Sequence, residues 1–263
     1  MKLRVATYNI HKGVTSFGGR PRILALKQAL AQLDADILFL QEVQGRHDLN
    51  ALRHTSNWPQ QGQHEYLAGE THHSAYGMNA VYDHGHHGNA LISRFAISSF
   101  RNQDVSDHSY ESRGILHCVV PVDGVEVHCY VVHLGLFAGG RRRQTAALIE
   151  AVRSSSPPDA PLIIAGDFND WTNQLSKMLY QRIGVQEVFD QPVTKGLMNG
   201  LRRLGGLSTP IRPARTFPAM LPWLRLDRIY LRGFKVHKAE VLSEGPWARL
   251  SDHAPIISEL HLT

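Results

Sequence analysis

The sequence contains few cysteines and no long hydrophobic run. Only two cysteines, Cys118 and Cys129, occur among its 263 residues, which leaves room for one disulfide bond at most. No apolar segment approaches the roughly 18 residues that a membrane-spanning helix needs. The first apolar segment, residues 3–10, has the pattern of a core strand, so we expect no signal peptide. Repeats and low-complexity tracts are also absent, and we expect a cytoplasmic protein.

The composition is that of a globular protein with a surplus of positive charge. Hydrophobic residues make up 43% of the chain, enough to form the sizeable core of one domain over residues 1–263. The 28 lysines and arginines exceed the 23 aspartates and glutamates, which gives a formal net charge of +5. This surplus favours a negatively charged partner, with a basic surface that only aids solubility as the alternative. The arginines cluster at 141–143, 202–203, 212, 215, 225, 228 and 232.

Apolar periodicity divides the chain into strands and helices. Strands are predicted at 3–10, 36–42, 88–94, 114–122, 125–133, 161–164, 226–231 and 254–262, and helices at 23–33, 139–154 and 172–183. A long functional loop is predicted at 190–223, which is rich in Gly, Pro and Arg. Because strands outnumber helices and helices fall between strand pairs, the pattern favours two sheets packed face to face with helices outside.

An Asp-Gly dipeptide at 123–124 predicts a two-residue hairpin turn. The register that follows places Cys118 opposite Cys129. A cross-strand disulfide is conceivable, but two buried reduced thiols are the favoured interpretation. The same register places His133 opposite Gly114 and brings Arg113 to the same rim of the sheet.

Polar side chains stand at the ends of the predicted strands. In chain order they are Asn9, Glu42, His133, Asp167, Asn169, Asp227, Asp252 and His253. Any one of them is more often a cap or turn residue, but five separate segments would need the same accident. Hard divalent cations such as Mg²⁺ take carboxylate oxygens together with water and substrate phosphate, and Glu42 and Asp252 suit that role. The pattern therefore indicates an enzyme that holds a divalent metal and a hydrolytic water.

The remaining strand-end residues suit the hydrolysis of a phosphoester. Asp167 can orient or deprotonate the attacking water, and Asn169 can hold that water or a phosphate oxygen. His253 can donate a hydrogen bond to the non-bridging oxygen on which negative charge develops. Asp227 is the natural partner to fix the tautomer of His253 and to stabilise its cation.

Seven segments together resemble the endonuclease/exonuclease/phosphatase superfamily, and they occur in the family's order from end to end of the chain. They are ATYNIH (6–11), LQEVQ (40–44), GNALISR (88–94), VVHLGL (131–136), AGDFND (165–170), LDRIYL (226–231) and SDHAPI (251–256). The superfamily includes DNase I-like enzymes, apurinic endonucleases, neutral sphingomyelinases and inositol polyphosphate 5-phosphatases. The resemblance implies a four-layer α/β sandwich of two mostly antiparallel sheets with helices outside. It also implies Mg²⁺- or Mn²⁺-dependent cleavage by in-line attack of water.

The resemblance also assigns roles residue by residue. It implies that Glu42 and Asp252 bind the metal with Asn9 close by, that Asp167 and Asn169 handle water and phosphate, and that Asp227 pairs with His253. His133 resembles the second histidine of the DNase I and sphingomyelinase branches, and it argues against the apurinic endonucleases. We further expect contacts to substrate phosphate from Asn89, Arg113, Arg141, Arg215 and Arg225.

The sequence leaves the substrate open. The basic surface and both histidines favour a DNA nuclease, and the alternative is a phosphodiesterase or phosphatase for phospholipid or inositol phosphate head groups. A binding module that has lost catalysis is a third possibility, which the intact acidic residues disfavour. Aromatic residues alternate with arginines at 215–218 and 223–225. These segments can stack on bases, seat a loop on the core, or dip into a membrane surface.

The segment 72–87 is rich in histidine. It carries His72, His73, His84, His86 and His87. A soft-metal site would use such side chains, but matched cysteine or aspartate spacing is lacking. A mobile polar loop is the favoured interpretation.

Overall fold

A computed structural model of the chain describes residues 1–15, 19–108, 111–190 and 214–263. Within these residues, strands form two six-stranded sheets. The first sheet contains, in spatial order, β11 (Phe234–Val241), β12 (Ile256–Leu262), β1 (Lys2–Asn9), β2 (Ile37–His47), β4 (Gly85–Ser93) and β3 (His73–Tyr82). The second contains β5 (Ser99–Asp104), β6 (Gly114–Val122), β7 (Val125–His133), β8 (Leu162–Asp167), β10 (Asp227–Arg232) and β9 (Gln186–Glu187).

Helices connect and cover these strands. The described α-helices are α1 (Ile23–Leu33), α2 (Asp48–Arg53), α3 (Gln63–Ala68), α4 (Ala138–Ser155), α5 (Leu175–Ile183) and α6 (Trp247–Leu250). A short 3₁₀ turn, His11–Gly13, follows β1 directly. None of the helices in the described ranges is long and apolar enough to cross a membrane.

Each sheet contains one parallel strand pair, and the other described pairs are antiparallel. The parallel pairs are β1 with β2 and β7 with β8. Parallel neighbours need a crossover connection, which α1 provides in the first sheet and α4 in the second. Polar residues from the two parallel pairs consequently stand at corresponding ends of the two sheets.

Three hydrophobic clusters hold four layers together. The cluster between the sheets includes Phe39 of β2 and Ile163 of β8. A second cluster packs α1 on the outer face of the first sheet, with Leu26 fully buried. A third packs α4 and α5 on the outer face of the second sheet, with Leu148 and Leu179 fully buried. The layer order is therefore helix, sheet, sheet, helix, and the predicted α/β sandwich is confirmed.

Strand alternation in β1 determines where its last residue points. Leu3 and Val5 belong to the cluster between the sheets, whereas Ala6 and Tyr8 belong to the helix side. Side chains of a strand alternate between its faces with a period of two. Asn9 therefore continues the row of Leu3 and Val5 and stands over the edge of the core between the two sheets.

The hairpin of β6 and β7 has the predicted bounds and register. Cys118 pairs with Cys129, and both are buried free thiols. Burial raises the pKa of the Cys118 thiol to about 12. Low thiolate content makes such a thiol unreactive, in keeping with the predicted reduced state.

Several predicted elements need correction. The histidine-rich segment forms β3 and the start of β4 rather than a mobile loop, and β2 runs on to His47 rather than ending at 42. The strands β5, β9 and β11 were not predicted. Most side chains of β5 are exposed and β11 mixes polar with apolar residues, so neither has the apolar run that marks a buried strand. Most of the predicted loop 190–223, with Arg202, Arg203 and Arg212, lies outside the described residues.

Candidate active site

The ends of β1 and β8 and the irregularity inside β2 meet around the side chain of Asn9. Its amide nitrogen donates to Glu42 Oε1 at 3.3 Å and to Asp167 Oδ2 at 3.2 Å. Its amide oxygen accepts from the backbone N–H of His11 at 3.1 Å. Asn9 is almost fully buried, so these bonds fix its orientation and join the two sheets at this edge.

A bulge in β2 directs Glu42 toward this cluster. Leu38 and Leu40 point to the helix side, and unbroken alternation would turn Glu42 the same way. The register of β2 against β4 instead shifts between Leu40 and Val43, and Glu42 takes a φ of 55°. Positive φ is unfavourable for a residue with a side chain, and such strain concentrates at functional sites. The bulge therefore redirects the carboxylate.

Asp167 is the most connected group of the cluster. Its Oδ1 accepts from the backbone N–H of Asn169 at 3.0 Å. Its Oδ2 lies 3.5 Å from His133 Nε2 and 3.8 Å from His253 Nε2. Asn169 itself has a φ of 50°, and its amide nitrogen donates to the carbonyl of Leu134 at 2.9 Å.

His253 also forms an ion pair with Asp227. His253 Nδ1 lies 2.9 Å from Asp227 Oδ2, and both side chains are buried. Asp227 is the first residue of β10 and pairs in register with Asp167 of β8. A carboxylate on Nδ1 leaves Nε2 facing Asp167 and the cleft.

Burial and neighbouring charges shift the pKa values of Asp167, His253 and His133 from their usual values. Burial, partly offset by His253, raises the pKa of Asp167 to about 6. Burial alone would lower the pKa of His253, but the carboxylates of Asp227 and Asp167 outweigh it and raise the pKa to about 10. Burial and then the nearby Arg113 lower the pKa of His133 well below its usual value. These shifts favour the cationic form of His253 and the neutral form of His133.

Asp252 lies beside the 3₁₀ turn that follows β1. His11 Nδ1 is 3.3 Å from Asp252 Oδ1. The hydroxyl of Ser251 donates to the carbonyl of Asn9 at 2.7 Å and so fixes the loop that carries Asp252. Lys12 Nζ lies 3.8 Å from Glu42 Oε2. The turn thus places one basic side chain against each of the two predicted metal ligands.

The segment 214–219 joins the loops that carry Asp227, Asp252 and His253 through its backbone. Thr216 accepts at its carbonyl from the N–H of Ala254 at 2.8 Å, and its hydroxyl accepts from the N–H of Asp227 at 3.3 Å. The N–H of Ala219 donates to the carbonyl of Asp252 at 2.7 Å. The ring of Phe217 lies 5.1 Å from that of His253, centroid to centroid.

These groups surround a cleft of about 410 Å³. Its polar walls contain the central acid and histidines, and its apolar walls come from three loops. The lining residues include Lys12, Glu42, His87, Arg113, His133, Asp167, Asn169 and His253, together with Leu136, Trp171, Phe217 and Leu224. A buried carboxylate with two histidines in an open cleft is an arrangement suited to acid–base chemistry on a bound substrate.

The sequence model of the Endonuclease/Exonuclease/phosphatase family matches residues 6–253. The chain belongs to this family. The match spans every segment that carries a residue of the cluster. Members of the family are phosphoesterases and generally depend on a divalent metal.

Individual relatives agree with this assignment. The chain is 43% identical to the uncharacterized protein YbhP of Escherichia coli K12, over 98% of this chain and 96% of that protein. A mannosyl-6-phosphatase from Bacteroides thetaiotaomicron is similar in structure, with a TM-score of 0.71, 19% identity, and coverage of 99% of this chain and 100% of that one. D. rerio TDP2 in complex with a single-strand DNA product has a TM-score of 0.66, 17% identity and 99% coverage of both chains. At these identities the two structures show a shared fold.

The residues that were predicted to contact substrate phosphate differ in their position relative to the cleft. Arg113 lines the cleft and donates from Nε to the carbonyl of Leu134 at 3.2 Å. Asn89 is buried and donates to the carbonyl of Gly114 at 2.8 Å, outside the cleft lining. Arg141 is buried, donates to the carbonyls of the loop before α4, and holds its guanidinium over the ring of Trp171.

The other two arginines lie in the segment before β10. Arg215 is exposed and Arg225 is half-buried. The part of the chain that the structure describes does not place either among the cleft walls. Their role as phosphate contacts stays a prediction.

Three basic or histidine side chains at or beside the cleft were not predicted from the sequence. His11 lies against Asp252, and Lys12 lines the cleft. Both stand in the turn shortly after Asn9, so their position just beyond a polar strand end was the available signal. His87 lies in the cleft because β4 runs antiparallel to β2, a pairing that the sequence pattern does not give. The other histidines of that segment do not converge: in the described residues, the group of three or more potential metal-binding side chains consists of Asp167, Asp227 and His253.

Proposed function

We propose that this phosphoesterase hydrolyses a phosphodiester by in-line attack of water, with a hard divalent cation such as Mg²⁺ or Mn²⁺ bound by its own residues. The observation that carries the proposal is the convergence on Asp167 of one amide and two histidines from separate segments. Its Oδ2 lies within 3.8 Å of Asn9, His133 and His253. Such a group combines a base, a neutral imidazole and a cation within one substrate's reach.

Two sets of side chains are candidates for the metal. Asp167, Asp227 and His253 have ligand atoms within 4.8 Å of one another. However, His253 is paired with Asp227 through Nδ1, and its pKa of about 10 keeps the other ring nitrogen protonated. A protonated nitrogen has no lone pair for a metal.

Glu42 and Asp252, with Asn9 beside them, suit the ion better. Their carboxylate oxygens are the donors that Mg²⁺ prefers. Their side chains are 18% and 26% exposed, whereas that of Asp227 is 1% exposed, so they are more accessible to an ion. Glu42 lines the cleft, and Asp252 lies against His11 of the turn that follows β1. When bound, the ion polarises a phosphoryl oxygen and offsets charge on the leaving group.

Asp167 is proposed as the base that orients and deprotonates the attacking water. Its pKa of about 6 makes it a stronger base than an ordinary aspartate while leaving it mostly ionised at neutral pH. The bond from the N–H of Asn169 to Oδ1 fixes the carboxylate plane. The other oxygen, Oδ2, faces the histidines and the cleft.

The two histidines have different proposed roles. His253 is cationic, and its Nε2 is positioned to donate to the phosphoryl oxygen on which charge develops. Asp227 holds its ring and stabilises its charge. His133 is neutral and donates or accepts a hydrogen bond at the substrate without adding charge.

DNA is the first substrate candidate, and the basic surface supports it. The chain has a net charge of +5, and Lys12 and Arg113 line the cleft. Exposed Arg215 adds positive charge beside it. Part of the sequence argument relied on Arg202 and Arg203, which lie outside the described residues.

A phospholipid head group is the second candidate, and a specific observation favours it. Large apolar side chains stand exposed on the loops around the cleft mouth, among them Phe137 and Met220. A DNA backbone offers no partner for aliphatic side chains, whereas a membrane surface does.

One assay tests the reaction and separates these candidates. Plasmid DNA, single-stranded DNA, RNA and phospholipid vesicles are incubated with the protein in Mg²⁺, in Mn²⁺ and in excess EDTA. We expect hydrolysis of one class only with metal present. No hydrolysis of any phosphodiester, or full turnover in EDTA, contradicts the proposal.

A further inference from the structure

The mouth of the cleft carries a group of exposed large apolar side chains, which we call the apolar rim. Its members, with their exposed fractions, are Leu136 (56%), Phe137 (70%), Trp171 (43%), Met220 (78%), Leu221 (77%) and Trp223 (60%). They come from three separate loops, and Leu136 and Trp171 also line the cleft. Single exposed apolar residues are ordinary, but a group on one functional edge marks an interaction surface.

The tip of the apolar rim is held outward by its own backbone. Residues 217–224 form a tight turn in which Phe217 and Leu224 pair across an antiparallel bridge. The N–H groups of Trp223 and Leu224 both donate to the carbonyl of Phe217 at 2.9 Å. Phe217 and Leu224 line the cleft and Ala219 is buried, whereas Met220, Leu221 and Trp223 project from the protein.

The other side of the rim is also fixed. Leu136 and Phe137 sit between β7 and α4, where the carbonyl of Leu136 accepts from the buried guanidinium of Arg141. The same guanidinium lies 4.8 Å from the centre of the Trp171 ring. A buried cation thus orders two of the three rim loops, and the carboxylate of Asp170, next to Trp171, favours its charged form.

The exposed segments that carry the apolar rim have basic but no acidic residues, and Asp170, which precedes Trp171, is buried. Residues 134–137, 171–173 and 214–225 contain Arg215 and Arg225 and no aspartate or glutamate. Lys12 and Arg113 lie just inside, in the cleft walls. Apolar side chains flanked by basic ones match the boundary between acyl chains and anionic head groups.

From the apolar rim and its charge, we propose that the cleft mouth docks on the surface of an anionic phospholipid bilayer. Met220, Leu221 and Trp223 enter the head-group and acyl boundary, and Arg215 contacts lipid phosphate. This orientation turns the cleft toward the head groups. The proposal rests on the proposed function for naming a lipid phosphodiester as substrate, but the docking itself requires no catalysis.

The test measures binding of the Asp167→Asn protein to vesicles by co-sedimentation and by Trp fluorescence. Vesicles of phosphatidylglycerol with phosphatidylcholine are compared with vesicles of phosphatidylcholine alone. We expect binding to the anionic vesicles, with a blue shift of Trp emission. Met220→Ser with Leu221→Ser should weaken it at least about ten-fold, because both side chains are exposed and contribute by insertion.

Leu52→Ser is the matched control, because Leu52 is 75% exposed on α2, outside the apolar rim. Arg215→Glu should weaken binding to anionic vesicles only. Binding that is absent, or equal for the double variant and the Leu52 control, overturns the proposal. So does light scattering that shows a dimer lost in the double variant without vesicle binding, since the rim then joins two copies of the chain.

The experiment distinguishes a failure of the docking proposal from a failure of the proposed function. If vesicles bind the protein but no phosphodiester is cleaved, the docking surface stands and the proposed function falls. If DNA is cleaved and vesicles do not bind, the proposed function stands and the docking proposal falls. DNA binding that the Met220 and Leu221 substitutions abolish overturns the docking proposal.

Discussion

The amide nitrogen of Asn9, at the end of one sheet, donates a hydrogen bond to Asp167, at the end of the other, over 3.2 Å. The same nitrogen bonds Glu42 at 3.3 Å. One buried amide therefore sets the distance between the proposed base and a proposed metal ligand. It also closes the edge of the core that lies between the sheets.

Replacing Asn9 with alanine should lower kcat by about 10- to 100-fold. The change removes the only donor that Asn9 offers to both carboxylates and raises the pKa of Asp167 further, since that hydrogen bond lowers it. Steady-state kinetics with saturating Mg²⁺ measure the effect. Thr71→Ala, at an exposed position in the segment that follows α3, is the control. An unchanged kcat contradicts the linking role.

Asp167→Asn and His253→Ala should each lower the rate by about two orders of magnitude or more, because they remove the proposed base and the charge-stabilising cation. Asp83→Asn and His261→Ala change exposed residues of the same types and serve as controls. Circular dichroism checks that the variants fold. Near-normal rates in either active-site variant would show that the roles are misassigned.

Glu42→Gln should weaken metal binding more than it weakens folding. It removes one ligand charge but retains an oxygen that can accept from Asn9. The Mg²⁺ concentration for half-maximal activity should rise by about ten-fold or more, with a small change in melting temperature. Glu244→Gln, at an exposed carboxylate, should change neither. If the Glu42→Gln variant and the unchanged protein depend on Mg²⁺ concentration in the same way, Glu42 is not a metal ligand.

The raised pKa of Glu187 predicts that the folded protein is less stable at alkaline pH than at acidic pH. Burial, partly offset by Arg228, raises the pKa of its carboxyl to about 8, above the value of about 4.5 expected in the unfolded chain. The folded state thus holds the proton more tightly, so this stabilisation is complete below pH 4.5 and declines as pH rises through about 8.

Unfolding by denaturant at pH 5 and pH 9 measures the effect of Glu187. Glu187→Gln should reduce the loss of unfolding free energy between these values, by an amount on the order of a few kcal/mol. Glu126→Gln, at an exposed site on β7, should leave the loss unchanged. Equal losses in both variants would contradict the assignment.

The DNA candidate predicts steep salt dependence. If DNA is the substrate, the affinity of the Asp167→Asn protein should fall with log salt at about −0.9 per phosphate neutralised. Arg215→Glu with Arg225→Glu should flatten the slope and weaken binding regardless of sequence. Arg53→Glu, exposed on α2, is the control. An absence of salt-dependent binding moves the assignment to a lipid or inositol phosphate head group.

The sequence predicts most of the buried strands because their signals are local. The hairpin of β6 and β7 follows from one turn dipeptide and two runs of apolar residues, and its register then places His133 at the rim. By contrast, β5 and β11 pair at sheet edges, where water covers part of each strand. Only long-range pairing defines such strands, and a single sequence does not contain it.

The candidate site divides in the same way. Residue type and strand-end position suffice to select Asn9, Asp167 and His253. The direction of Glu42 depends on a bulge, and the cleft position of His87 depends on a neighbouring strand. These are properties of strand pairing, which the pattern of apolar residues leaves undetermined.

The bonds made by Thr216 and Ala219 limit how this enzyme can be re-engineered or can diverge. They join the base of the 217–224 turn to Asp227, Asp252 and Ala254, which flank His253 in sequence or in space. Replacement of the whole turn would remove bonds that position His253 as well as the surface that the replacement was meant to alter. Substitutions intended to alter the surface are therefore best confined to positions 220–223, and residues 216–219 are best left unchanged.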